Sequence, residues 1–187
     1  MENTQEFKRL DRKLVYKGHI IDFYEDTVEV PNGNIVKWDF IGHKGAAAVV
    51  PVLDDGRILL VRQFRNAIDR YTWEVPAGGR NVLEDGTIED YKLTAFRELE
   101  EETGYRTEME NLTFLVNLKM AIAYCEEQID VYVAKALKPS KQHLDEDEFI
   151  NVKAFSLAEI EQKIFAGEIQ DAKTISCIMT YKAKYNL

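Results

Sequence analysis

The sequence predicts an α/β protein, on three observations. Short apolar runs, alternating or continuous and bounded by turn residues, recur along the chain as strands do. One central segment and two near the end repeat apolar residues at helical spacing instead. The 187 residues, 45% hydrophobic and 30% charged, suffice for one domain with a substantial core and match an ordinary globular composition.

In chain order, residues 1–12 are charged and expected to be loosely held. Residues 14–30 and 34–41 read as strands joined at Pro31-Asn32-Gly33, because Asn-Gly readily supplies positive φ. Ala46–Leu53 and Arg57–Arg62 read as two buried strands across the Asp54-Asp55-Gly56 turn, followed by an irregular stretch to Tyr71. Glu74 then precedes Pro76-Ala77-Gly78-Gly79, where small residues permit close backbone approach. A helix follows within 87–105. Thr87 with Asp90 resembles a capping box, Ile88, Tyr91, Ala95 and Leu99 form the apolar stripe, and Gly104 stands where a C′ residue belongs. Residues 112–120 and 128–136 read as a strand pair connected by Ala121–Glu127. His143–Glu148 is an acidic loop before the strand Ile150–Phe155. Ser156 opens a helix to about Ala166, and Asp171 opens another to about Lys184. Both read as scaffold.

Composition removes several function classes. A formal charge of −9 argues against broad nucleic-acid binding, which needs a basic surface. No apolar run approaches the ~18 residues of a membrane span, and the polar start Met1–Arg9 does not resemble a signal peptide. Two cysteines, Cys125 and Cys177, make no disulfide framework, so a cytoplasmic location is expected.

The informative stretch is Arg97-Glu98-Leu99-Glu100-Glu101-Glu102-Thr103-Gly104-Tyr105. Glu98 and Glu102 stand four apart and share a helix face, with Glu101 beside them. Like charges at that spacing cost about 0.2–0.5 kcal/mol per pair. By charge alone the run reads as a solvated face, the usual fate of such runs. A hard divalent cation gives another reason to gather carboxylates.

Arg97 through Tyr105 resembles the R-E-hydrophobic-x-E-E-x-G-hydrophobic core of the Nudix box, and Glu89 matches the earlier glutamate of that box. Arg62-Gln63-Phe64-Arg65 and Glu74-Val75-Pro76-Ala77-Gly78 resemble two segments of the ADP-ribose and ADP-sugar pyrophosphatases in that superfamily. The likeness spans roughly residues 15–170. It implies the Nudix fold, an α/β/α sandwich with a mixed sheet, as residues 46–187. Residues 1–45 would be an antiparallel β extension that reaches across a homodimer, with Tyr16, Phe23, Tyr24 and Trp38 as candidate adenine-stacking aromatics. It further implies metal-dependent hydrolysis of a nucleoside diphosphate sugar, ADP-ribose giving AMP and ribose 5-phosphate. Mg²⁺, with Mn²⁺ as the substitute, would bind Glu98, Glu101, Glu102 and the Ala77 carbonyl. Arg97 would hold the carboxylates in place, and Glu148, with Glu146 as runner-up, would position or deprotonate the attacking water. Arg65 matches the position that contacts substrate phosphate; Arg62, Glu74 and Glu127 are the other candidate substrate contacts.

Two positions depart from the pattern. Leu83 replaces the glycine six residues before the first glutamate of the box, with Asn81–Thr87 as the inserted loop, and Ile122 stands where related enzymes carry proline. Another nucleotide sugar, a dinucleotide, or a non-catalytic sugar-nucleotide sensor are the alternative readings. Intact Glu98, Glu101 and Glu102 favour catalysis over sensing.

Overall fold

The computed structural model describes residues 6–187. By its internal contacts the chain forms two units, one of the chain up to Gly45 with Lys119–Glu127, the other of Ala46–Leu118 with Gln128–Leu187.

The first unit is built on an antiparallel sheet of β1 (Lys8–Lys17), β2 (Asp22–Glu29) and β3 (Ile35–Gly42). Two expectations need correction here. The segment 14–30 is not one strand but two, broken at Gly18, whose N–H donates to Ile21 O at 3.0 Å and closes a tight turn. Nor is the chain before residue 12 all loose, for β1 begins at Lys8. Arg12 grips Asp26 with two 2.7 Å hydrogen bonds and stacks over the Phe40 ring. The expectation for residues 1–5 lies outside the described residues. Among the four aromatics singled out, Tyr16 and Trp38 are exposed, while Phe23 and Tyr24 are half-buried. Tyr24 packs against Phe40 and Arg12.

The second unit runs β4 (Ala46–Pro51), β5 (Ile58–Arg65), β6 (Arg70–Glu74), β7 (Ala77–Gly79), α1 (Tyr91–Thr103), β8 (Tyr105–Arg106), β9 (Leu112–Lys119), β10 (Gln128–Ala134), β11 (Lys138–Pro139), β12 (Asn151–Phe155), α2 (Leu157–Phe165) and α3 (Ala172–Tyr185). A mixed four-stranded sheet has the order β7-β4-β10-β9, with β10 parallel to β4 and β7 antiparallel to it. An antiparallel sheet has the order β12-β5-β6, and β8 pairs with β11. β4 is buried on both faces, as its continuous apolar run Ala46–Pro51 requires. Ala47 and Val49 pack with Ala95 and Leu99 of α1, and alternation turns Ala48 and Val50 to the opposite face. α3 also packs on β4. Leu99 is fully buried, so truncating it to alanine would cost about 2–5 kcal/mol.

α1 starts later than the capping-box reading expects. Asp90 is its N-cap, accepting from Lys92 N at 2.8 Å and Leu93 N at 3.4 Å. Thr87 is unavailable because its hydroxyl and N–H both bond Asp85. The inserted loop closes on itself as a small hairpin, with Leu83 N–H to Thr87 O at 2.8 Å and Glu89 N–H to Asn81 O at 2.9 Å. Ile88 therefore belongs to that hairpin rather than to the helix stripe. At the other end Gly104 adopts φ 68°, and its N–H returns to Glu100 O at 2.9 Å. The stretch before Tyr71 is less irregular than expected, since β5 continues to Arg65 and β6 starts at Arg70. Among the described residues no helix is long and apolar enough to cross a membrane.

Candidate active site

Residues Thr94, Ala95, Glu98, Leu99, Glu102 and Thr103 make the buried face of α1. Two of its carboxylates are thus carried inward by the same periodicity that buries Ala95 and Leu99. Glu98 is 9% exposed and Glu102 4%. Burial pushes Glu98 up to about 7, with Arg97 pulling it back and the charges of Glu101 and Glu148 pushing further. Burial and then the charge of Glu98 push Glu102 up to about 8, against the Ala77 N–H, and Glu148 adds to the rise. Neither carboxylate has its charge fully offset by the protein.

The Pro76–Gly79 segment lies directly against this pair. Ala77 N–H donates to Glu102 Oε2 at 3.0 Å, and the Pro76 carbonyl is occupied by Val49 N–H at 2.9 Å. The nearest atoms to a Cβ built on Gly78 would all belong to the Glu98 carboxyl, the farthest at 2.5 Å. Glycine is required there by the side chain packed on it.

Arg97 gathers three carboxylates. Its Nη1 donates to Glu98 Oε1 and Glu101 Oε2, both at 2.7 Å, and Nη2 to Glu89 Oε2 and the Gly79 carbonyl, both at 3.1 Å. Glu89 also accepts from the Thr94 hydroxyl at 2.8 Å. Burial works to raise the Glu89 pKa, but Arg97 and Thr94 hold it below the usual carboxylate range. Arg97 thereby links the hairpin, the Gly79 turn and the helix.

Arg65, at the end of β5, and Glu74, at the end of β6, form a two-pronged ion pair at 2.8 and 2.6 Å. Glu74 is 2% exposed, and Lys173 Nζ reaches its Oε2 at 3.0 Å. Burial works to raise the Glu74 pKa, yet Arg65, Lys173 and Thr72 bring it down to about 2. The charge of Glu102 in turn supports that of Arg65. Arg62 is not brought to this group. Side chains alternate along a strand, so Arg62 and Arg65 emerge on opposite faces of β5, and Arg62 lies 4.4 Å over the Tyr71 ring.

Glu148 sits on the exposed loop and lines two open clefts of about 260 and 280 Å³. Its charge acts on both Glu98 and Glu102. The chain before it is anchored to the end of α1: Gln142 Nε2 donates to Glu102 O at 2.6 Å, and His143 N–H to Glu101 O at 3.1 Å. Glu127 belongs to the other unit, where its Oε1 stands 4.0 Å from His43 Nε2.

Lys173, Asp171 and Thr174, on the helix that the sequence reading takes as scaffold, contact the residues around Glu74 and Val75. Asp171 caps α3, Lys173 bonds its Oδ2 at 2.8 Å, and Thr174 Oγ1 accepts from Val75 N–H at 3.0 Å.

Buried carboxylates with unbalanced charge, beside a backbone turn, are a donor set that suits a hard divalent cation. Among the described residues no three His, Cys, Asp or Glu side chains converge as a finished ligand cluster, because Glu98 and Glu101 are turned onto Arg97.

Residues 42–176 match the NUDIX domain family. The chain is 37% identical over 186 residues to an ADP-ribose pyrophosphatase of Bacillus subtilis (strain 168), covering 98% of this chain and 96% of that one. It is 37% identical over 175 residues to a methanol dehydrogenase activator of Bacillus methanolicus, covering 92% and 91%. A crystal structure of an ADP compounds hydrolase superposes with a TM-score of 0.82 at 23% identity, over 97% of this chain and 95% of the other, and shares the fold.

Proposed function

The chain belongs to the Nudix hydrolase family, and on that premise we propose that it hydrolyses the diphosphate bond of ADP-ribose or a close ADP-sugar, releasing AMP and a sugar phosphate. The observation that carries the reading is the buried pair Glu98 and Glu102, pushed up to about 7 and 8 against the Ala77–Gly78 turn. The family in general depends on divalent metal ions, and Mg²⁺, with Mn²⁺ as substitute, is the reading for this chain. Glu98, Glu101, Glu102 and the Ala77 carbonyl would hold it, and it would supply charge neutralisation of the diphosphate and acidification of a water.

The chain's own residues do the rest. Arg97 keeps Glu98 and Glu101 from drifting apart and ties them to Glu89 and Gly79. Arg65 spends its Nε and one Nη on Glu74, which leaves Nη1 for a phosphate oxygen. Glu148, on its exposed loop, takes a proton from the attacking water as the water oxygen bonds phosphorus and the bridging P–O bond breaks. The two free cysteines, one buried and one half-buried, favour a cytoplasmic setting.

The substrate is tested by kcat/KM for ADP-ribose, ADP-glucose, GDP-mannose, UDP-glucose and dinucleotides with Mg²⁺, with products read by chromatography. ADP-ribose should lead. A tenfold advantage for a non-adenine sugar nucleotide or a dinucleotide, about 1.4 kcal/mol in transition-state binding, would overturn the substrate. Glu102→Gln should stay folded and lose most of kcat, and full turnover by that variant would overturn the site.

A further inference from the structure

Among the described residues Lys173 is the one buried cation that the proposed chemistry leaves unused. It is 8% exposed, rises from the first turn of α3, and bridges Glu74 Oε2 at 3.0 Å and Asp171 Oδ2 at 2.8 Å. Removing a lysine from water is costly, and the residue keeps its charge only because two carboxylates meet it. Burial works against that charge, but Glu74 and Asp171 prevail and hold its pKa above the usual lysine value.

We propose that Lys173 is a positioning residue for substrate phosphate: through Glu74 it sets the guanidinium of Arg65 and moderates the grip of Glu74 on it. The inference rests on the reading of Arg65 as a phosphate contact. Glu74 Oε2 is shared, taking Arg65 Nη2 at 2.6 Å and Lys173 Nζ at 3.0 Å. With Lys173 present, Glu74 has two cations to satisfy, and part of the charge of Arg65 remains for an incoming anion. With Lys173 gone, the full carboxylate charge falls on Arg65, which is then neutralised before substrate arrives. Geometry is lost as well, since Glu74 Oε1 takes Arg65 Nε and the Thr72 hydroxyl while Oε2 takes Arg65 Nη2 and Lys173 Nζ. The same helix turn fixes the chain that leads into the carboxylate site, for Thr174 Oγ1 accepts from Val75 N–H at 3.0 Å, two residues before Ala77. The positive charge of Lys173 also reaches Glu102. Lys173 thus stands behind both halves of the site without touching substrate.

The test is a double-mutant cycle read in steady-state kinetics with ADP-ribose. Arg65→Ala should raise KM on the order of 10–100-fold, the loss of a charge-assisted hydrogen bond. Lys173→Met, of similar length and no charge, should raise KM about tenfold with kcat changed far less, as loss of a supporting partner does. In the Arg65→Ala background Lys173→Met should then move KM by less than about twofold, because the group it acts through is gone. Equal effects in both backgrounds would overturn this inference and leave the phosphate contact standing. An Arg65→Ala protein with unchanged KM would overturn the phosphate contact, and the role of Lys173 with it. Should Lys173→Met not be recovered folded, Lys173→Gln removes the charge while keeping an N–H donor for Glu74 and Asp171. It predicts the same KM rise, absent again in the Arg65→Ala background, and a rise that persists there overturns the inference equally.

Discussion

Replacing Gly78 by alanine adds one carbon where the Glu98 carboxyl already lies. The three nearest atoms to that carbon would be Glu98 Oε1, Cδ and Oε2, the farthest 2.5 Å away. Ordinary contact between such atoms is about 3.5 Å or more, so the carboxyl must retreat by more than about 1 Å or swing out altogether. A misplacement of that size at a reacting centre costs about 10²-fold in rate, or about 2.7 kcal/mol. The fold should tolerate the change. Gly78 does not use positive φ, and the clash is with the mobile end of a side chain. Losing the Arg97–Glu98 pair costs little, because burial already works against the charge of Glu98. Restricting the unfolded chain offsets about 0.4–1 kcal/mol of that. Gly78→Ala should therefore keep its melting midpoint within a few degrees, lose about 10²-fold in kcat/KM, and need more divalent metal for half-maximal rate. The assay is ADP-ribose turnover across a metal titration, beside a thermal melt. A folded variant with wild-type kcat/KM at the same metal concentration would show that the Glu98 carboxylate is not needed where the structure places it.

Stability should depend on acid through Glu74. Its folded-state pKa of about 2 lies below the ordinary 4.5, so its contribution is full above pH 4.5 and is lost as pH falls toward 2. That difference amounts to about 3 kcal/mol. Denaturant melts of wild type and Glu74→Gln should differ most near neutral pH and converge in acid, and a pH-independent gap would refute the assignment. The exposed Phe7, Leu10, Tyr16, Ile35 and Trp38 support a homodimer through the N-terminal sheet. Sedimentation should then report about twice the 21.6 kDa chain, and a fully active monomer would contradict it.

How much of this was legible in the sequence differs by element. α1 was readable because its apolar stripe and its carboxylates are both set by the 3.6-residue period, and Gly104 marks its end. Its start was misread because Thr87 and Asp90 have capping-box spacing, while Asp85 had a nearer claim on the Thr87 hydroxyl. The separation of Arg62 from Arg65 follows from strand alternation alone, but only once β5 is known to continue to Arg65. Lys173 was out of reach, since its partner Glu74 is 99 residues away and nothing local shows which strand end a helix N-terminus will meet. Sequence pattern reports the face a residue takes on its own element; it does not report which element covers that face.

The charge around α1 makes one further demand. Glu89, Glu98 and Glu101 share Arg97, Glu102 accepts from the Ala77 N–H, and the charge of Glu148 adds to the load on both buried carboxylates. Arg65 and Lys173 do not redress this, being matched by Glu74 and Asp171. Even with Glu98 and Glu102 partly protonated near neutral pH, a diphosphate approaching this surface meets net negative charge. Substrate binding itself, and not only turnover, should therefore require divalent metal. Linkage makes the demand reciprocal, so that ADP-ribose must tighten metal binding by the factor by which metal tightens ADP-ribose. Equilibrium dialysis of ADP-ribose against Glu148→Gln, slow in turnover but with Glu98, Glu101 and Glu102 intact, reads this directly. Affinity should fall at least tenfold when metal is chelated, about 1.4 kcal/mol of coupling. Equal affinity with and without metal would mean that arginine and backbone alone hold the diphosphate, and that the carboxylate cluster acts only on the reacting bond.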